Sequence, residues 1–311
     1  MSRQLKLACA AGIVFGAAAV VAVPAHATES GSGIYLPGVQ TIDPGTMRDG
    51  LSAQIFSVYY YADNFKNSSG DKRFQNYSIN FTAQVLRFQY VLPQSLTPGF
   101  HVGMAVMQPF YSLNVYRQSA GASTIHSQSI GPADTILTPL MVGNTFNAPL
   151  VGEVNQALKL SVNVLDGQYD PSSGVNPAHH YWSFIPSYGI DIHPNDRLKF
   201  GLNFTYLLNG TNPATQYRSG QETITEFDAL GRVTPKLWVG LNGAYFKQIS
   251  ADKQNGVDAF GDGFYGREAM LGPQIEYHTP FGGITFKWQH EFMARNRPEG
   301  DRFWVQASFK L

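Results

Sequence analysis

Five carboxylates, Glu222, Glu226, Asp228, Glu276 and Glu291, and four cations, Arg87, Lys159, Lys199 and Lys287, stand on the polar rows of segments whose apolar residues alternate with polar ones. In an extended chain residues i and i+2 share a face, so these charges gather on one side of whatever sheet the segments build. An acidic wall facing a basic one does one of two things. It lines a path for a polar or polarisable solute, or it forms an ion-pair network that fills and stiffens a narrow interior, and the residues leave both open. Asn203, on the same row as Lys199, and the aromatic Trp182 complete the candidate substrate path: Arg87, Lys159, Trp182, Lys199, Asn203, Glu222, Glu226, Glu276, Lys287 and Glu291. Leu86, Phe88, Tyr90, Phe110 and Tyr111 are further candidates for aromatic or apolar surface inside, where a planar ring would be received.

Other chemistries have weaker support. A serine hydrolase needs a serine activated by a histidine, yet no histidine lies in a recognisable nucleophile motif; His290, which alternates onto an apolar row, is the residue that keeps a lipid hydrolase as the alternative. Asp252, Asp258 and Asp262 are acidic residues of one loop without the regular spacing of a calcium loop, and a solvated loop is the plainer reading. P-loop, dinucleotide and EF-hand patterns are missing and nothing is basic enough for nucleic acid, so no cofactor, no metal and no nucleic-acid partner is expected.

The elements that must carry these rows are strands. From residue 51 onward about twelve alternating segments follow one another, at about 51–63, 74–92, 99–116, 133–143, 157–165, 180–193, 198–206, 219–231, 236–249, 267–279, 283–294 and 301–311, and ten to fourteen strands fit the pattern. The second segment changes phase past Leu86, which predicts a bulge. The last is the most informative: Phe303, Val305, Ala307, Phe309 and Leu311 oppose Trp304, Gln306, Ser308 and Lys310. One face wants hydrocarbon and the other something wet. A periplasmic β-sandwich also alternates, but short links after the second, sixth, eighth and tenth segments alternate with long polar ones, as in an outer-membrane barrel. One link, 144–156, is long on the wrong side.

The fold class expected is therefore an all-β antiparallel transmembrane β-barrel. Charged residues are 14 % of the chain against roughly 25 % in soluble domains, and the formal net charge is zero, so much of the surface avoids water. Arg3 and Lys6 precede an apolar run that ends at Ala25-His26-Ala27, a secretory signal peptide over residues 1–27. Residues 28–50 are Gly- and Pro-rich and able to tuck into a lumen, and 51–311 form the barrel. Cys9 is the single cysteine, so the exported chain has neither thiol nor disulfide.

Tyr35-Leu36-Pro37-Gly38, Gly131-Pro132-Ala133-Asp134, Tyr217-Arg218-Ser219-Gly220-Gln221-Glu222, Val239-Gly240-Leu241-Asn242-Gly243 with Tyr245-Phe246-Lys247-Gln248, and Gly272-Pro273-Gln274-Ile275-Glu276-Tyr277 resemble the meta-pathway phenol-degradation protein family. The likeness covers nearly the whole exported chain. One departure is Gly131-Pro132-Ala133-Asp134 where Gly-x-Gly-Asp is usual, which changes the local turn. The resemblance implies an outer-membrane barrel that admits aromatic or hydrophobic compounds to the periplasm, and it supplies no catalytic residues. The expected partners are a small hydrophobic or aromatic solute, outer-membrane lipid and the barrel assembly machinery. A third reading is a structural barrel with a filled lumen. About twelve strands make a narrower interior than the open sixteen-stranded porins, which favours a selective path.

Overall fold

The computed structural model describes residues 33–311, so the expected signal peptide lies outside the described residues. Antiparallel strands run β1 (Gly50–Ala62), β2 (Asn76–Val91), β3 (His101–Gln118), β4 (Ile125–Pro132), β5 (Ile136–Ala148), β6 (Gly152–Asn163), β7 (Ser183–Asn195) and β8 (Leu198–Asn209). They continue with β9 (Tyr217–Arg218), β10 (Glu222–Arg232), β11 (Leu237–Gln248), β12 (Lys253–Gln254), β13 (Val257–Asp258), β14 (Arg267–Thr279), β15 (Gly282–Arg295) and β16 (Asp301–Lys310). β4 and β5 share one place in the wall, because β3 pairs with β4 through Phe110–Arg117 and with β5 through His101–Met107. β9, β12 and β13 form a small sheet in the loops. The remaining strands close as a barrel of twelve.

Closure is made by β1 and β16, which pair from Ser52↔Lys310 to Tyr61↔Asp301. Hydrocarbon offers no hydrogen-bond partner, so a sheet survives in it only with no free edge. The alternation fixes which face meets lipid. On β8 Leu198, Phe200, Leu202 and Phe204 are exposed while Lys199, Asn203 and Thr205 are buried, and on β16 Phe303, Val305 and Phe309 point out while Trp304 and Gln306 point in.

Two sequence expectations are corrected here. The stretch 144–156 is not a long link: β5 and β6 stay paired as far as Ala148↔Gly152 and turn through Leu150 at φ 66°. The polar residues Asn144, Thr145 and Asn155 look like loop but are strand, since Thr145 Oγ1 donates to Asn155 Oδ1 at 2.6 Å across the ladder. With that link short, the tight turns collect at the end where β1 begins and the long loops at the other, the periplasmic and outer ends of this class.

Nor does β2 contain the bulge predicted past Leu86, for its register with β1 and β3 is continuous. What changes is the character of the rows. Tyr77, Ile79, Phe81, Ala83 and Val85 point inward, as does Arg87 after them; Thr82, Gln84, Leu86, Phe88 and Tyr90 point outward. In the outer half the outward row is polar and cross-linked, Ser57 Oγ donating to Gln84 at 2.7 Å and Tyr59 Oη to Asn80 at 3.1 Å, so this part stands above the bilayer around an apolar interior. Leu86, Phe88, Tyr90 and Phe110 are lipid-facing and do not line the interior; of that group only Tyr111 does.

The boundary is testable. Leu202→Arg should destabilise the barrel by about 2–4 kcal/mol, the cost of a lipid-facing cation near the midplane, while Thr82→Arg should cost about 0–1 kcal/mol. Equilibrium folding into lipid vesicles measures both, and equal costs would refute this placement of the bilayer.

Candidate functional site

The interior divides into an apolar outer chamber, a charged waist and a polar chamber open to the periplasmic end. Residues 33–49 run through all three. Gly33, Leu36 and Pro37 border the outer chamber, and Asp43, Thr46 and Asp49 the periplasmic one.

Barrel strands hold this segment through their inward polar rows. Glu226 Oε1 accepts from the backbone N–H of Gly38 (2.8 Å) and Gln40 (2.9 Å), and Asp191 Oδ2 from Gly45 N–H (2.9 Å) and Thr46 Oγ1 (2.7 Å). The amines work in the same way: Lys287 Nζ donates to Gly38 O (2.6 Å) and Thr41 Oγ1 (2.9 Å), Lys159 Nζ to Pro44 O (2.7 Å) and Lys199 Nζ to Asp43 Oδ1 (2.9 Å). A hydrogen bond to a charged group contributes about 1.5–3 kcal/mol, so this many fix the segment against the wall. Contact is close enough to demand glycine. A Cβ at Gly45 would meet Asn155 O at 2.3 Å, and one at Gly189 would meet Pro44 O at 2.2 Å.

Above the waist, Arg302 links the segment to the outer chamber. It donates to Pro37 O (2.8 Å), Glu291 (2.5 Å) and Glu268 (3.2 Å), and lies over the Tyr60 ring at 5.1 Å. Arg297 pairs with Glu268 at 2.8 Å over the Phe246 ring, and Tyr60 Oη donates to Glu291 at 2.7 Å. These charges satisfy one another, which leaves the chamber to Val58, Tyr77, Ile79, Phe81, Leu113 and Val115. The cavity there is about 50 Å³, against about 260 Å³ in the periplasmic chamber.

Nine of the ten candidate path residues lie in this interior: Arg87, Lys159, Lys199, Asn203, Glu222, Glu226, Glu276, Lys287 and Glu291 are all buried. Trp182 is the exception. It precedes β7 and is 57 % exposed, so it cannot line the lumen. Sequence reasoning missed Asp191, Arg297, Arg302 and the inward apolar row of β2. Asp191 alternates with the apolar Ile190 and Ile192, a legible signal, whereas Arg297 sits in a loop and has none.

The loops also differ from expectation. Asp252 is buried, not solvated: it accepts from Tyr217 Oη (2.5 Å), Gly220 N–H (2.6 Å) and Gln248 Nε2 (2.8 Å), tying loop 249–266 to 217–220. The motif aspartate Asp134 sits in the break between β4 and β5, where it accepts from the backbone N–H of His179 (3.0 Å) and draws loop 164–182 over the lumen. His290 faces outward with Nδ1 3.0 Å from Asp301 Oδ1; its ladder partners are Leu271 and Asp301, so no serine stands opposite it.

A family model described as "Putative MetA-pathway of phenol degradation" matches residues 62–307. The chain belongs to this family. Among solved structures, the COG4313 outer membrane channel from Pseudomonas putida F1 overlays with a TM-score of 0.74 at 11 % identity, covering 87 % of this chain and 99 % of that one. Weaker overlays are with the translocator domain of the autotransporter NalP from Neisseria meningitidis (TM-score 0.44, 8 % identity, 85 % of this chain and 90 % of that one) and a Pseudomonas aeruginosa FadL homologue (0.37, 10 %, 92 % and 99 %). No curated protein matches the chain. At such identities the likeness establishes the fold, and with the closed barrel it places this member of the family in the bacterial outer membrane.

Two outcomes follow from the seated segment. Gly189→Val, which drives a side chain into Pro44, should raise single-channel conductance in planar bilayers severalfold, and unchanged conductance would show that the segment does not obstruct flow. Asp43, carried by this segment and not by a spanning strand, also sets a pH limit. Burial raises its carboxyl, but Lys199 at 2.9 Å, helped by Arg48 at 3.7 Å, outweighs burial and holds it at about 2. Because that lies below the ordinary value of 3.8, its contribution to seating is complete above about pH 4 and lost as pH falls through about 2. Openings should therefore grow over that window in the wild type and be present at neutral pH in Asp43→Asn.

Proposed function

We propose that this protein is a gated outer-membrane channel that admits small aromatic or hydrophobic compounds to the periplasm by facilitated diffusion, without covalent chemistry. The observation that carries this reading is the division of the lumen. An apolar outer chamber built from Val58, Tyr77, Ile79, Phe81, Leu113 and Val115 lies directly above a charged waist, with residues 33–49 between it and the periplasm. A ring that leaves water for such a chamber, once Leu36 and Pro37 give way, gains roughly 25 cal/mol for each Å² of apolar area buried, so the chamber favours apolar solutes over polar ones.

Family membership supports the solute class, and the channel named among the similar structures supports a conduit. The cavity of about 50 Å³ holds little more than water, so passage requires Leu36 and Pro37 to move with the segment they belong to. Its anchors are hydrogen bonds and ion pairs to wall residues and not covalent links, which makes that motion reversible. A lipid hydrolase is the weaker reading, because the His290–Asp301 pair has no nucleophile opposite it in the ladder.

Uptake of labelled phenol or toluene at limiting concentration, by cells with and without the gene, tests the proposal. Uptake should fall severalfold in cells without it. It should fall comparably when Ile79→Asp places an unpaired carboxylate in the outer chamber, with the variant still showing heat-modifiable migration. Unchanged uptake in both strains would sink the transport reading while leaving the barrel intact.

A further inference from the structure

We propose that the periplasmic chamber is a binding site for a small organic carboxylate, held between Arg87 and Lys159. The proposal rests on the channel reading for the organic part of the ligand, and on geometry alone for its charge. The chamber, about 260 Å³, lies between residues 40–49 and the inner faces of β1, β2, β6, β14, β15 and β16.

Its charges are unevenly matched. The carboxylates on its wall are all engaged: Asp43 with Lys199 at 2.9 Å, Glu276 with Lys199 at 2.6 Å and His278 at 3.1 Å, Asp49 with His101 at 3.2 Å. Arg87 and Lys159 also border the chamber, at 7 % and 6 % exposure, and neither has a carboxylate within ion-pair distance among the described residues. Arg87 donates to the neutral amide oxygens of Gln54 (3.3 Å) and Gln89 (2.9 Å), and Lys159 to the carbonyl of Pro44 (2.7 Å). Buried cations are seldom left without a counter-charge, because removing them from water is costly.

The guanidinium has five N–H donors and the ammonium three, so both retain capacity after these bonds. A planar fork and an ammonium around one space suit a carboxylate better than a neutral molecule. The ligand class follows: a small monocarboxylate, such as an aromatic acid, halting in the lumen on its way through.

The test is titration of the purified, detergent-solubilised protein with benzoate, benzamide and chloride, followed by isothermal calorimetry. Benzoate should bind at least tenfold tighter than its neutral isostere benzamide and should not be displaced by equal chloride. Arg87→Gln and Lys159→Gln should each weaken it tenfold or more, and Lys159→Arg should restore most of the affinity, in variants whose heat-modifiable migration shows a folded barrel. Equal binding of benzoate and benzamide by the wild type would overturn the proposal even if neither variant folds, and displacement by equal chloride would overturn it as well. Lost toluene uptake with no benzoate binding would sink this site alone, whereas benzoate binding with unchanged uptake would sink the conduit and keep the site.

Discussion

Everything in this molecule depends on the pairing of β1 with β16, because hydrocarbon cannot satisfy a free strand edge. Once Ser52 to Tyr61 are joined to Lys310 to Asp301, every inward side chain is committed to a confined lumen and every outward one to lipid or headgroup. Closure at twelve strands sets the bore. It is wide enough to take a single turn-rich segment of chain and too narrow to leave an open pore around it.

A confined lumen turns charge into an obligation. Lys199, Lys287, Glu226, Glu276, Glu291 and Arg302 are all largely withdrawn from bulk water, and each meets an opposite charge or a hydrogen-bonding group of residues 33–49. The two readings of the charged rows, path lining and stiffening network, therefore describe one set of residues. The network stiffens the waist by gripping a segment whose backbone supplies the missing donors and acceptors. Such bonds are strong while the lumen is dry and weaken when water enters.

Above and below the waist the rows diverge. Toward the outside Arg297 and Arg302 are neutralised by Glu268 and Glu291 and covered by aromatic rings, leaving an apolar space. Toward the periplasm Arg87 and Lys159 donate to neutral oxygens of Gln54, Gln89 and Pro44. Apolar surface thus lies outside the waist and cationic surface on its periplasmic side.

Alternation by itself determined that this chain is a transmembrane barrel of about twelve strands, because period two with lipid on one face is a local property of each strand. The same reasoning put Lys199, Asn203, Glu226 and Lys287 on inward rows, since parity along one strand suffices. It failed where parity was not enough. Residues 144–156 were too polar to resemble strand, and the changed rows past Leu86 looked like a bulge because the chain crosses from an aqueous to a lipid exterior without losing register. Trp182 illustrates the same limit: an aromatic residue at a strand start reads alike on either face, and only the barrel turned it outward. Which charges meet, that Asp191 holds Gly45 and that Arg297 reaches Glu268, was decided by tertiary structure alone, because these partners lie 146 and 29 residues apart and only closure brings them into one space.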